Sequence, residues 1–153
     1  MTFQIDTREP WPHPWTGYFS SEVRLVRDTL ETGDVALAAL PDGAVIESKT
    51  VPDFLIAIGR ERERFDREVR RARHLGAFCI IVEGSFADVI TANHARRQLS
   101  AAAIVGTVAS WTRRGAPVLF AGSERLAAEF AERFLRGQVR EIERAARSLA
   151  QAE

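Results

Sequence analysis

The sequence predicts an α/β domain with a mixed central sheet flanked by helices. Short β-like apolar runs, longer stretches with apolar residues at helical spacing, and turn residues between them carry that prediction. With 153 residues, 46% of them hydrophobic, the chain can bury one core and is expected to form a single domain.

Four β-like runs come first, at residues 3–6, 23–26, 35–40 and 44–49. Between the first two, Pro10, Pro12 and Pro14 fall at alternate positions and forbid regular structure. Pro41-Asp42-Gly43 reads as a tight turn joining the third and fourth runs into a hairpin. Pro52 then opens a helix, where its missing N–H costs nothing. The apolar stripe Phe54, Ile58, Phe65, Val69 and Ala72 carries that helix to about residue 74, and Gly76 stops it. Residues 77–82 form a continuous apolar run, as expected of a buried parallel strand. A short segment around residues 86–90 precedes a helix over 98–113, a second buried strand over 118–121 and a long helix over 123–149, with Ser123 as its N-cap.

Composition narrows the setting. Acidic and basic residues balance at 21 each, so no whole-molecule field draws the chain to a polyanion, and any such surface must come from local clustering. The single cysteine, Cys79, sits inside an apolar strand and has no disulfide partner. The N-terminus lacks the pattern of a signal peptide, and no apolar run has the length of a membrane span, so a soluble cytoplasmic protein without membrane contact is expected. Three scattered histidines and one cysteine make no zinc pattern.

The basic residues are twenty arginines and one lysine, Lys49. Lysine offers a compact ammonium that can sit against one water or one phosphate oxygen, which a planar guanidinium does not replace. Glu47 and Lys49 stand two apart on a strand and leave the same face. The hairpin brings Glu47 back towards Asp34. Two carboxylates converging on one point repel unless a hard cation lies between them, and Mg²⁺ is the natural occupant. A carboxylate-bound cation beside an ammonium suits phosphodiester hydrolysis. The plainer alternative for Glu47 and Lys49 is the solvated face of an edge strand.

The order of motifs bears on that choice. Ile5-Asp6-Thr7-Arg8-Glu9, then Gly33-Asp34-Val35, then Glu47-Ser48-Lys49 with Asp53, and finally Ile80-Ile81-Val82-Glu83-Gly84 follow one another along the chain. In this the sequence resembles the nuclease domain of the XPF family of structure-specific endonucleases, with Ser48 standing where arginine is usual. The resemblance implies a restriction-endonuclease-like fold and a Mg²⁺- or Mn²⁺-dependent endonuclease acting on branched or flapped DNA in repair or recombination. The alternative is a catalytically inert DNA-binding or scaffolding subunit.

The resemblance makes Asp34 and Glu47 metal ligands and Lys49 the catalytic lysine. Asp6 becomes a further acidic member of the site, with Arg8 and Glu9 supporting it or meeting the DNA backbone. Among Arg60, Arg62 and Arg64, at least one is expected to touch DNA. Asp53 matches the motif's last aspartate and is read either as a site member or as a helix cap. Ser48 is expected to point away from Glu47 and Lys49 and to be no ligand. A homodimer through the last helix is implied, as is a partner supplying the helix-hairpin-helix module for which this chain has no room.

Other features stay open on residues alone. Arg60, Arg64, Arg67 and Arg71 lie on one face of the predicted helix, as a phosphate-tracking ridge or as ion-pair partners of the interleaved acids. Trp11, Trp15 and Tyr18 could stack on an unpaired base or fold back over the sheet edge. His13 is not assigned a catalytic role. Leu126, Phe130, Phe134, Ile142 and Leu149 are expected to pack the last helix into the core, or in part to form the dimer interface.

Overall fold

The fold is seen in a computed structural model that describes residues 1–96 and 99–151. Six strands make one mixed sheet: β1 (Thr2–Ile5), β2 (Arg24–Arg27), β3 (Val35–Leu37), β4 (Leu40–Lys49), β5 (Phe78–Val82) and β6 (Val118–Phe120). Their spatial order is β2-β1-β3-β4-β5-β6. β3 runs antiparallel to both β1 and β4, while β4, β5 and β6 are parallel, so the buried run of β5 has the central position its continuous apolar sequence predicts.

Among the described residues, five α-helices cover the sheet: α1 (Val51–Ile58), α2 (Arg62–Arg71), α3 (Phe86–Arg96), α4 (Ala101–Arg113) and α5 (Glu124–Ala150). One core joins Phe54, Ile58, Phe65, Val69, Ile104 and Trp111 to Val45, Ile80 and Val82 on one face of the sheet. The other joins α5 and Trp15 to Phe3, Ile5, Ile46, Cys79 and Ile81 on the opposite face. The sandwich follows from strands whose alternate residues are apolar on both sides.

The structure corrects four expectations. The hairpin turns at Ala38–Ala39, with Leu37 opposite Leu40, and Pro41-Asp42-Gly43 lies inside the long strand β4. The helix expected over 52–74 is two helices, because the chain breaks at Gly59-Arg60-Glu61 and restarts at Arg62. Arg60 therefore lies off the helix, and the four-arginine ridge does not form on one continuous face. The short segment at 86–90 is the start of the 11-residue helix α3. Gln98, where the next helix was expected to begin, lies outside the described residues; α4 starts at Ala101, capped by the Ser100 hydroxyl.

The last correction concerns α5. It meets the sheet through Ala127, Ala128, Ala131 and Leu135, all fully buried, while Leu126, Ile142 and Leu149 are exposed. Alanines let the helix lie close to the sheet, so the larger side chains fall at its flanks. Phe130 and Phe134 stack on each other there.

Gly33 ties this scaffold to the residue after it. Its φ is +78°, and a Cβ there would meet Val45 Cγ1 at 2.2 Å and the Ile46 carbonyl oxygen at 3.0 Å. Gly33→Ala is therefore predicted to lower unfolding free energy by about 2 kcal/mol, from left-handed strain and from the push against β4. Denaturant unfolding against wild type measures it; an unchanged midpoint would show that the loop relaxes freely.

A candidate metal centre at the end of the parallel strands

Backbone bonds fix Asp34 before its side chain does anything. Its N–H donates to the Ile46 carbonyl at 2.8 Å, and its own carbonyl accepts the Asp6 N–H at 2.9 Å. The residue is thereby clamped between the end of β1 and the middle of β4. Val35 pairs with Ile46 across the hairpin, which sets Asp34 opposite the segment that carries Glu47. Glu47 and Lys49 leave the same face of β4, as their spacing predicts, and Lys49 Nζ bonds Glu47 Oε1. The ammonium also reaches the Ser48 carbonyl at 3.1 Å and lies 5.5 Å from the centre of the Phe65 ring. The structure thus brings Asp34, Glu47 and Lys49 together.

Glu47 is 4% exposed, and its Oε2 is buried with no hydrogen-bond partner. Burial first, and the neighbouring Asp34 second, push the Glu47 carboxyl well above the usual range, against the pull of Lys49. Asp34 is pushed up to about 6, again chiefly by burial, with Lys49 opposing and Glu9 adding to the rise. For Lys49, burial works against its charge, yet Glu47 and Asp34 outweigh it and raise the ammonium's pKa. The plainer reading, a solvated edge-strand face, does not describe these residues: β4 is internal and Glu47 is buried.

An orphaned carboxylate oxygen beside a second carboxylate is the donor set a hard cation takes. Among the described residues, no three His, Cys, Asp or Glu side chains form a ready-made cage. A two-carboxylate site still fits Mg²⁺, which commonly keeps several waters and takes one or two carboxylates. Asp34 and Glu47 are the residues that would hold it.

Asp6 is placed differently. It is fully buried, its Oδ1 accepts the Arg8 amide at 2.8 Å and Arg8 Nε at 2.6 Å, and its Oδ2 accepts the Leu30 amide at 2.6 Å. Burial opposes its ionisation, but the Arg8 and Leu30 bonds win and hold the carboxyl below its ordinary value. Asp6 is thus adjacent to Asp34 along the backbone, with both carboxylate oxygens already engaged. Arg8 is spent on Asp6 and on the Leu30 carbonyl at 3.0 Å.

Ser48 makes a contact that strand alternation alone does not foresee. Its N–H and hydroxyl both donate to Asp34 Oδ2, at 2.7 and 3.1 Å, so it orients a proposed ligand. Thr50 caps α1: its Oγ1 accepts the Asp53 N–H at 3.2 Å, and its hydroxyl donates to Asp53 Oδ2 at 2.6 Å, so Asp53 supports the cap from the first turn.

Lys49 opens on a cleft of about 520 Å³ whose walls include Glu9, Pro10, His13, Asp53, Arg60, Arg64 and Glu83. Arg60 and Arg64 thus line the cleft together with Lys49, whereas Arg62 does not line it and lies 3.9 Å from Asp66. Arg64 is paired with Glu61 at 2.6 Å, and the arginine-rich helix is in part the ion-pair surface its interleaved acids suggest. His13 is buried, with its Nδ1 accepting the Trp15 amide.

The residue that sequence reading missed is Glu68. It is 7% exposed, stands one turn beyond Phe65 on the buried face of α2, and contributes charge to Glu47, Lys49 and Arg8. A glutamate in phase with Phe65, Val69 and Ala72 was the available signal, hidden among the other acids of the helix.

The family model of the ERCC4 domain matches residues 5–134. This chain belongs to the ERCC4 domain family. Among solved structures, the ERCC4 fold seen here is similar to XPF from Aeropyrum pernix, with TM-score 0.69 and 19% identity over 96% of this chain and 69% of that one. It is also similar to the same organism's XPF in complex with DNA, with TM-score 0.68 and 19% identity over 92% of this chain and 66% of that one. This chain thus spans about two thirds of the length of those XPF chains. A comparison with curated protein sequences finds no match.

The raised carboxyl values carry a sign. A carboxylate whose folded pKa exceeds its unfolded one costs stability when ionised, and regains it as pH falls through the folded value towards the unfolded one. Glu47→Gln removes that cost in the cation-free ERCC4 domain at pH 7.5. The variant is predicted to melt above wild type without divalent cation and to show none of the stabilisation by Mn²⁺ that is expected of wild type. Differential scanning calorimetry with and without Mn²⁺ reads both; a variant that melts lower and still responds to Mn²⁺ would refute the assignment.

Proposed function

We propose that this ERCC4 domain is a Mg²⁺- or Mn²⁺-dependent endonuclease that hydrolyses DNA phosphodiesters, at branched or flapped structures in repair or recombination. The observation that carries the proposal is the buried, unpartnered Glu47 Oε2 beside Asp34, with the chain's only lysine bonded to the same carboxylate. Family membership and the likeness to an XPF determined with DNA support the substrate class.

A cation held by Asp34 and Glu47 would neutralise charge on the phosphate and make water acidic enough to attack. The residues do the rest. Ser48 holds Asp34 Oδ2 in place, so that ligand does not reorganise during reaction. Lys49, whose charge Glu47 and Asp34 sustain, offers N–H donors to the attacking water or a phosphate oxygen. Arg60 and Arg64, on the cleft wall, attract the DNA backbone. Release of Arg64 from Glu61 is the local exchange that phosphate contact requires.

We further propose that the protein acts in the cytoplasm, that it works with a partner carrying a further DNA-binding module, and that it pairs as a homodimer. The exposed Ile142 and Leu149, seven residues apart and so on one side of α5, support the dimer as apolar surface offered to a second copy.

The test is cleavage of labelled single-stranded, duplex, flap and junction DNA with Mg²⁺, Mn²⁺ or EDTA. Wild type is expected to cut only with a divalent cation. Glu47→Ala and Lys49→Ala are each expected to lose 100-fold or more, on the order of what losing one transition-state contact costs. Equal cutting by Glu47→Ala would remove the mechanism. No cutting by wild type on any substrate would favour the inert-subunit reading.

A further inference from the structure

The three tryptophans divide sharply. Trp15 and Trp111 are fully buried, and each spends its indole N–H on a carboxylate, Glu83 at 2.8 Å and Asp66 at 2.7 Å. Trp11 is 48% exposed and has no such anchor among the described residues. Leaving so large an apolar ring in water forfeits burial free energy that the other two tryptophans collect.

The loop that presents Trp11 is held from several sides. Pro10 and Pro12 flank it and restrict the backbone. The Arg27 guanidinium donates to the Thr7 and Glu9 carbonyls at 2.7 and 3.2 Å, and the Glu9 N–H donates to the Asp6 carbonyl at 3.1 Å. Beyond Trp11, His13 caps the 3₁₀ turn at Pro14–Gly17 through its bond from the Trp15 amide, and the Trp15 ring is sunk in the core. A ring displayed on a backbone ordered in advance loses little entropy when it stacks.

The inner side of this loop is a wall of the catalytic cleft, because Pro10, His13 and Pro14 line it together with Lys49. Arg60 and Arg64 line the same cleft from the break between α1 and α2. A strand whose phosphates lie on those arginines passes the loop that carries Trp11. A paired base is covered by its neighbours, whereas an unpaired one has a free face for an indole.

We infer that Trp11 is a base-stacking subsite for an unpaired nucleotide beside the cleft, and so a specificity-determining residue that favours single-stranded or junction DNA over uninterrupted duplex. The inference rests on the nuclease reading above and adds the feature by which substrate shape is read. Stacking on an aromatic ring is tolerant of base identity, so the preference is for strand state and not for sequence.

The experiment uses the emission of Trp11, the exposed tryptophan, in the whole chain with EDTA present. Fluorescein-labelled oligothymidylate and a duplex of the same length are titrated by anisotropy, and tryptophan emission is followed with unlabelled versions of both. Oligothymidylate is expected to quench wild-type emission and duplex to leave it nearly unchanged. Trp11→Ala is expected to weaken oligothymidylate binding roughly tenfold, to leave duplex binding within about twofold, and to abolish the quenching. Trp11→Phe, which keeps a stacking face, is expected to restore most of the affinity.

Three results overturn the inference. One is unmoved emission at oligothymidylate concentrations that saturate the anisotropy. A second is equal weakening of single strand and duplex by Trp11→Ala. The third is emission that changes with protein concentration alone, which would assign the ring to self-association. If DNA is bound in EDTA and is cut once Mg²⁺ replaces the EDTA while emission stays unmoved, only the inference fails. If neither DNA form binds in EDTA and none is cut with Mg²⁺, the nuclease reading fails with it.

Discussion

Two carboxylates and one ammonium share a largely buried corner at the end of β4, and the surrounding architecture serves to hold them there. Asp34 and Glu47 come from the two arms of one hairpin, and neither ionises comfortably without help. Lys49 relieves one oxygen of Glu47 and leaves the other orphaned. A fold maximising stability would neutralise or hydrogen-bond that oxygen; the bare oxygen is the feature on which the proposed cation site rests.

Each layer of the molecule contributes to keeping that corner fixed. Gly33 takes a left-handed turn that only a residue without Cβ fits, and so delivers Asp34 against β4. Parallel pairing with β5 sets Glu47 opposite Ile80 and Lys49 opposite Val82, burying the strand on both sides. Phe65 on α2 covers the ammonium, and Glu68, one turn on, adds negative charge from the helix side. Asp6 acts through the scaffold, pinning Arg8 and the Leu30 amide with both oxygens. The resemblance placed it in the acidic site; the geometry shows a neighbour whose carboxylate is engaged elsewhere.

Much of the site was legible because a strand's two-residue period is rigid: Glu47 and Lys49 had to share a face, whatever followed. The apolar stripe from Phe54 to Ala72 was legible too, since every member is buried. The break within it was not, because Arg62 to Arg71 resumes the same phase after Gly59 and a stripe does not record an interruption. Pro41-Asp42-Gly43 misled for a related reason. Strong turn residues entered β4 at the end of the hairpin, where β3 is only three residues long, and the turn formed at Ala38–Ala39 instead. On α5 the large apolar residues drew attention, but a helix lying close to a sheet packs through its alanines. Ser48 was read from alternation alone, which does not foresee a hydroxyl reaching sideways to Asp34.

The most direct test of this account is the anomalous diffraction of crystals grown with Mn²⁺. A peak bonded to Glu47 Oε2 and to the Asp34 carboxylate, with Ser48 still donating to Asp34, is the predicted result. An empty corner with Lys49 unmoved on Glu47, at a Mn²⁺ concentration that stabilises the protein in solution, would contradict it.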